Sequence, residues 1–248
     1  MTDLSRYLLF ILMTPIFFLL GTWVSVFPHE YAHATVAWWY GFKDVPWDIY
    51  YGHFTWKNVL FVSGIDENVN YYLIYLLGYQ RLIGWISFAG PGIATVGIYF
   101  ISLLLLQWEK VKKHPYWFYL ICWINVINIA ELVSYVFLRA FSAHGDMGHI
   151  VFSWQISPWW IFFGGGLPLT VAIWYFFANT LPELYSRLQL NKSSLRAFLL
   201  VVFAYLLFGH SGIRMFLDSY GTIATVLGVV SCITMVAIII ICWPSKTA

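Results

Sequence analysis

The sequence predicts an all-α integral membrane protein of about six transmembrane helices, with a short strand-like or re-entrant loop after the first. Three observations carry that prediction. Of 248 residues, 61% are hydrophobic and 21% aromatic while only 10% are charged, against the roughly 25% charged residues of an ordinary soluble domain. The mean hydropathy is +0.75. A soluble globule so composed would expose large apolar patches, and a disordered chain would be poor in aromatics and rich in charge. Finally, six apolar stretches reach the roughly 20 residues that a helix needs to cross the hydrocarbon core.

These stretches cover about 7–27, 81–107, 116–140, 158–181, 195–217 and 222–243. The first is longer than the apolar core of a secretory signal and lacks an A-x-A cleavage pattern, so it reads as a retained span. The link from Lys43 to Gln80 is long enough to hold structure of its own. Its segment VPWDIYYGHFTWKN (45–58), rich in aromatics and β-branched residues and broken at Gly52, reads as a small hairpin or re-entrant loop. Gly164-Gly165-Gly166 followed by Pro168 weakens or kinks the fourth span. Such a run serves either close helix packing by small residues or a lateral gate. Residues 1–155 form a core of three spans; residues 156–248 add three helices to the same membrane domain. The 14 Trp and 17 Tyr suit interfacial belts.

The bilayer is the partner that this composition demands. With 13 Lys+Arg against 11 Asp+Glu the net charge is only +2, so no basic face is available for nucleic acid. Cys122, Cys232 and Cys242 lie in apolar runs without C-x-x-C spacing, and fit neither a disulfide framework nor a thiolate metal site. Lys/Arg asymmetry orients the spans. A cytoplasmic N-terminus puts Arg6, Lys110, Lys112, Lys113, Arg187, Lys192, Arg196 and Lys246 on its side, against Lys43, Lys57, Arg81, Arg139 and Arg214. That bias favours a cytoplasmic N-terminus and places the end of the first span outside.

Chemistry concentrates directly after the first apolar run, in His29-Glu30-Tyr31-Ala32-His33. Residues four apart on an α-helix share one face, about 6 Å apart along the axis. Two imidazoles so placed can bind one Zn²⁺ at about 2.0–2.1 Å each, and Glu30 between them can act as general base toward the attacking water. Pro28 suits a helix start or kink, which would put the pair near the beginning of a helical segment. Read structurally instead, the three side chains would be a buried hydrogen-bonded cluster; intramembrane ionisable groups are costly enough to favour function.

A catalytic zinc site needs a third protein ligand and an open position. Asp146, in FSAHGDMGHIV (141–151) at the far end of the third span, is the foremost candidate, because span counting puts it on the side where the first span ends. His144 and His149 are rivals for the position or groups that orient the ligands. Capping of a helix is the structural alternative for Asp146.

In their order along the chain these residues resemble the site-2 protease family, intramembrane zinc metalloproteases that cut transmembrane segments. The likeness covers residues 7 to about 155. It rests on HEYAH at the end of an N-terminal span, the aromatic loop after it, Ala89-Gly90-Pro91 in the next span, and Asp146 in HGDMGH. It implies zinc held by His29, His33 and Asp146, Glu30 as the catalytic base, a transmembrane protein as substrate, and a site facing the cytoplasm. The last point conflicts with the charge count. Several family features are missing: Met147 follows Asp146 where the family has Gly, and no Asn-x-x-Pro element precedes it. There is also no Asn shortly after A-G-P and no PDZ-like or CBS-like module.

Two other readings use the same residues. One is a metal-dependent membrane hydrolase of a lipid substrate; the other is a non-catalytic membrane binding or transport protein. Further along, Glu131 follows Asn128 by three residues on one face of the third span and calls for an interior partner. His210, Arg214 and Asp218 are spaced by four, with Arg214–Asp218 expected as a structural ion pair near the membrane edge.

Overall fold

Asp3–Trp39 form one continuous helix of 37 residues. The structure, a computed structural model, describes residues 3–217 and 220–244, the side chains of 3–6, 61 and 217 apart. The protein is an all-helical, multi-pass integral membrane protein. Among the described residues six helices are long and apolar enough to span a bilayer: Tyr7–Trp39, Gln80–Gln107, Pro115–Leu138, Pro158–Arg187, Ser193–Phe216 and Thr222–Ile241. Large apolar side chains line their outer faces, among them Leu104, Val171, Trp174 and Ile240, each more than 60% exposed. Exposure to acyl chains costs such residues nothing.

The first span differs from expectation at its far end. Pro28 does not start or break a helix, and the motif continues the same helix as the apolar run. Pro28 can offer no amide to the Val24 carbonyl, but one missing bond is tolerated in a helix otherwise held by its neighbours. The His pair therefore sits in the last three turns of a long helix, not at the start of a new one.

The third span is the hub. Phe118, Tyr119, Cys122, Trp123, Val126 and Ile129 are all buried, with Trp123 edge-on to Phe203 at 4.9 Å and to Phe18 at 5.7 Å. Lipid tails are as apolar as leucine, so helix association depends on packing and interhelical hydrogen bonds of about 0.6 kcal/mol each. Asn128 Nδ2 donates to Ser25 Oγ at 2.9 Å, and Asn125 Nδ2 to Ser102 Oγ at 2.9 Å. These bonds fix the third span against the first and second. In the fourth span, a Cβ on Gly165 would press on Val136 and one on Gly166 on Phe137. Close packing against the third span accounts for both glycines.

The loop after the first span is not a hairpin within 45–58. Among the described residues it contains no strand, only a single antiparallel bridge in which the Tyr50 and Asp66 amides donate to each other's carbonyls at 2.8 and 3.0 Å. Between them runs the short helix Trp56–Phe61, capped by Thr55. Gly52 at φ +72° breaks any extension of the pairing. The loop is tied together by Lys43 Nζ, which donates to the carbonyls of Asp48, Glu67 and Asn68 at 2.7, 3.1 and 2.8 Å. Lys43→Met removes all three charged donors, each worth about 1.5–3 kcal/mol. Limited proteolysis between residues 44 and 70 should accelerate tenfold or more; an unchanged cleavage rate would show that the bridge and Asn58 suffice.

Candidate metal centre

Three helical pieces converge where the first and third spans end on one side. Helical spacing on the first span sets the His29 and His33 rings 4.7 Å apart, nearly perpendicular. The chain leaves the third span at Leu138, turns through Gly145 at φ +67°, and starts the helix Gly145–Trp154 that carries Asp146 in its first turn. Glycine suits that turn because a side chain would be strained at this left-handed φ.

His29 Nε2 lies 3.4 Å from Asp146 Oδ2, and His33 Nε2 lies 3.5 Å from Asp146 Oδ1. One donor atom from each residue falls within 4.8 Å of the others, and both histidines are buried. The outer ring nitrogens are engaged. His33 Nδ1 donates to the Ile86 carbonyl at 2.6 Å, which leaves its Nε2 lone pair facing inward; His29 Nδ1 bonds Thr95 Oγ1 at 3.1 Å. Ring nitrogens held this way are the usual means of aiming metal-binding imidazoles.

The second span closes the back of the pair. Ala89–Thr95 widen into a π turn, and its Gly90 faces both rings. A Cβ on Gly90 would overlap His33 Nε2 and come within 2.6 Å of His29 Nε2. The donor set and this cradle fit a zinc ion: two neutral imidazoles and one carboxylate are acceptable zinc ligands, and nothing larger than hydrogen is accommodated on the helix behind them. Their separations fit too. A charge-assisted N–H···O⁻ bond runs about 2.7–2.9 Å, whereas two ligands at about 2.05 Å from a tetrahedral ion stand about 3.3 Å apart.

Electrostatics favour an ionised Asp146. Burial alone would push its carboxyl up, but the neighbouring His33, His29 and Arg139 outweigh burial and hold it well below the usual carboxylate range. Arg139 lies over the rings of Tyr135 and Tyr220 at 4.8 and 5.8 Å, with its Nε unpaired. Glu30 points toward the loop, where Glu67 lies against its carboxyl and Asp66 and Asp146 are the next carboxylates.

The rivals for the third position lie elsewhere. His149 bonds Ser87 Oγ at 3.2 Å and packs on Tyr71 with ring centroids 4.5 Å apart, and burial lowers its pKa. His144 is the residue preceding the Asp146 helix, its amide held by Ser142 Oγ. Glu131 lies within electrostatic reach of His210, Tyr135 and Arg139. The expected Arg214–Asp218 pair involves Asp218, which lies outside the described residues.

Sequence reasoning missed Thr95, Ile86, Tyr135, Arg139 and Glu67. The first four are unremarkable members of apolar runs or their ends; Glu67 alone carried a visible signal, as an acid in the link after the motif.

A multi-pass helical membrane protein with a buried two-histidine, one-aspartate centre is the class that fold and site define. Compared with protein-family models, with curated proteins and with solved structures, the chain matches none.

Proposed function

We propose that this protein is an intramembrane zinc metalloprotease, similar to site-2 proteases, that hydrolyses peptide bonds in or near transmembrane segments of other proteins. The observation that carries the reading is the convergence of His29, His33 and Asp146 beside Glu30 within a membrane bundle. His29, His33 and Asp146 would hold the ion, and zinc, when bound, would polarise the scissile carbonyl and acidify water. The protein supplies the rest. Thr95 and Ile86 aim the two imidazoles, Asp146 offsets one of the two positive charges, and Glu30 accepts the proton of the attacking water. The loop between residues 43 and 70 brings Glu67 against the Glu30 carboxyl.

The test begins with metal. Detergent-purified protein should hold about one zinc per chain, with His33→Ala and Asp146→Ala both losing it. The parent should then cleave a transmembrane-helix peptide. Cleavage of a lipid ester with no peptide hydrolysis would replace the protease by a lipid hydrolase, and a folded parent without metal would leave the cluster structural.

A further inference from the structure

The first and fifth spans both pack on the third but leave a groove between their N-terminal halves. Phe17 lies edge-on to Tyr119 at 5.5 Å on one flank, and Phe203 edge-on to Trp123 at 4.9 Å on the other. The groove encloses about 810 Å³, with Phe10, Ile11 and Phe18 on one wall, Phe198 and Val202 on the other, and Trp123 contributed by the third span. Ile11 and Phe198 remain 56% and 48% exposed, so the protein leaves large apolar side chains uncovered along it. Thr14 Oγ1, also on its wall, donates to the Phe10 carbonyl at 2.8 Å and bonds the Tyr119 hydroxyl at 2.9 Å, which leaves it no hydrogen for a ligand. An empty cleft of this kind would forfeit dispersion contacts on both walls.

On the fifth span the groove runs from Ser194 to Leu206, a rise of about 18 Å. That is close to one leaflet, half of a hydrocarbon core about 30 Å thick. Spread over this length, its volume gives a section of about 45 Å², whereas a helix with side chains, about 10–12 Å across, takes roughly 80–110 Å². The groove therefore suits a chain of methylenes and is too narrow for a transmembrane helix. At its mouth Lys192 bridges the two spans, its Nζ 4.8 Å from the centre of the Tyr7 ring. Lys192 is exposed, and no described carboxylate pairs with it. We propose that this groove is a phospholipid site, in which one acyl chain of an anionic phospholipid fills the cleft and the headgroup phosphate meets Lys192. The lipid belongs to the leaflet on the side of the N-terminus. The site lies toward the opposite end of the first span from His29 and His33, and does not depend on what they bind. One lysine at the membrane surface should favour an anionic over a zwitterionic headgroup by about fivefold.

The test reconstitutes the full chain in phosphatidylcholine vesicles that hold a trace of phosphatidylglycerol with a photoactivatable acyl chain. After illumination, mass spectrometry maps the labelled residues. Label should concentrate within residues 7–18 and 194–206, and unlabelled phosphatidylglycerol should displace it about fivefold better than phosphatidylcholine does. Lys192→Gln should remove that preference while label stays in the groove, and Val202→Trp, which fills the cleft, should drive label out of it. Label spread evenly over the groove and the outer face of the fourth span, around Leu167, Val171 and Trp174, would mean ordinary bilayer contact and overturn the site in the unmodified protein. Equal displacement by the two lipids overturns the anionic headgroup, and a preference that persists in Lys192→Gln overturns the assignment to that residue.

Discussion

Glu30→Gln should abolish hydrolysis while leaving zinc in place. Glutamine keeps the size and shape of glutamate but cannot accept a proton from water, so the variant removes the base and little else. Loss of a general base costs about 10²–10⁴ in rate. The ligand atoms of His29, His33 and Asp146 are untouched, and the amide can still hydrogen-bond the Glu67 carboxyl that lies against this position. The measurement pairs cleavage of a transmembrane-helix peptide with metal stoichiometry. Turnover that survives with zinc bound would remove Glu30 from the mechanism. Zinc lost together with turnover would make Glu30 a support of the centre and leave the base unassigned.

Gly90→Ala should empty the centre without unfolding the bundle. The added Cβ meets the two inward-facing nitrogens directly, and neither ring can retreat, since Ile86 and Thr95 hold the opposite nitrogens. The rings must rotate or the helices part. Disturbing the groups that orient ligands typically weakens metal binding by about 10–100-fold, and direct overlap should do at least as much. Gly97→Ala, on the same span with nothing within 4 Å of its added Cβ, is the matched control and should bind zinc as the parent does. Equal affinity in both variants would show that the back of the centre is looser than its geometry indicates.

Local chemistry made the membrane architecture and the motif readable. Apolar runs of spanning length declare themselves one at a time, since each must satisfy its own backbone in lipid whatever its neighbours do. The His29/His33 pair is equally local, because four residues of helix bring the two rings to one face. Even Asp146 was within reach, through the parity of spans that returns the third helix to the side where the first ends. The extent of the first helix was less legible. Pro28 and the polar motif read as a boundary, yet the helix runs on to Trp39, because its polar side chains find partners on other helices. The loop pairing was misplaced for a related reason. Tyr50 bridges to Asp66, a partner chosen by where Lys43 gathers the chain and not by the aromatic pattern of 45–58.

Composition, and neighbours along a single helix, were enough for the sequence by itself to determine a six-span helical membrane protein with two histidines flanking a glutamate on one helical face. The tertiary structure decided which of the candidates Asp146, His144 and His149 meets them. Asp146 reaches the pair while His149 is turned to Ser87 and Tyr71, a choice set by the turn at Gly145 and by docking of its helix. It also placed Gly90 behind the rings, Thr95 and Ile86 on their outer nitrogens, and Tyr135 against His29. Three of those residues, Gly90, Thr95 and Tyr135, lie in π turns, which shift the register of a helix face by about one residue and leave no mark in an apolar sequence. The physical reason is common to all of them: in lipid, hydrophobicity places a helix in the membrane but does not choose its neighbours. That choice falls to close packing and a few hydrogen bonds between residues far apart in the chain.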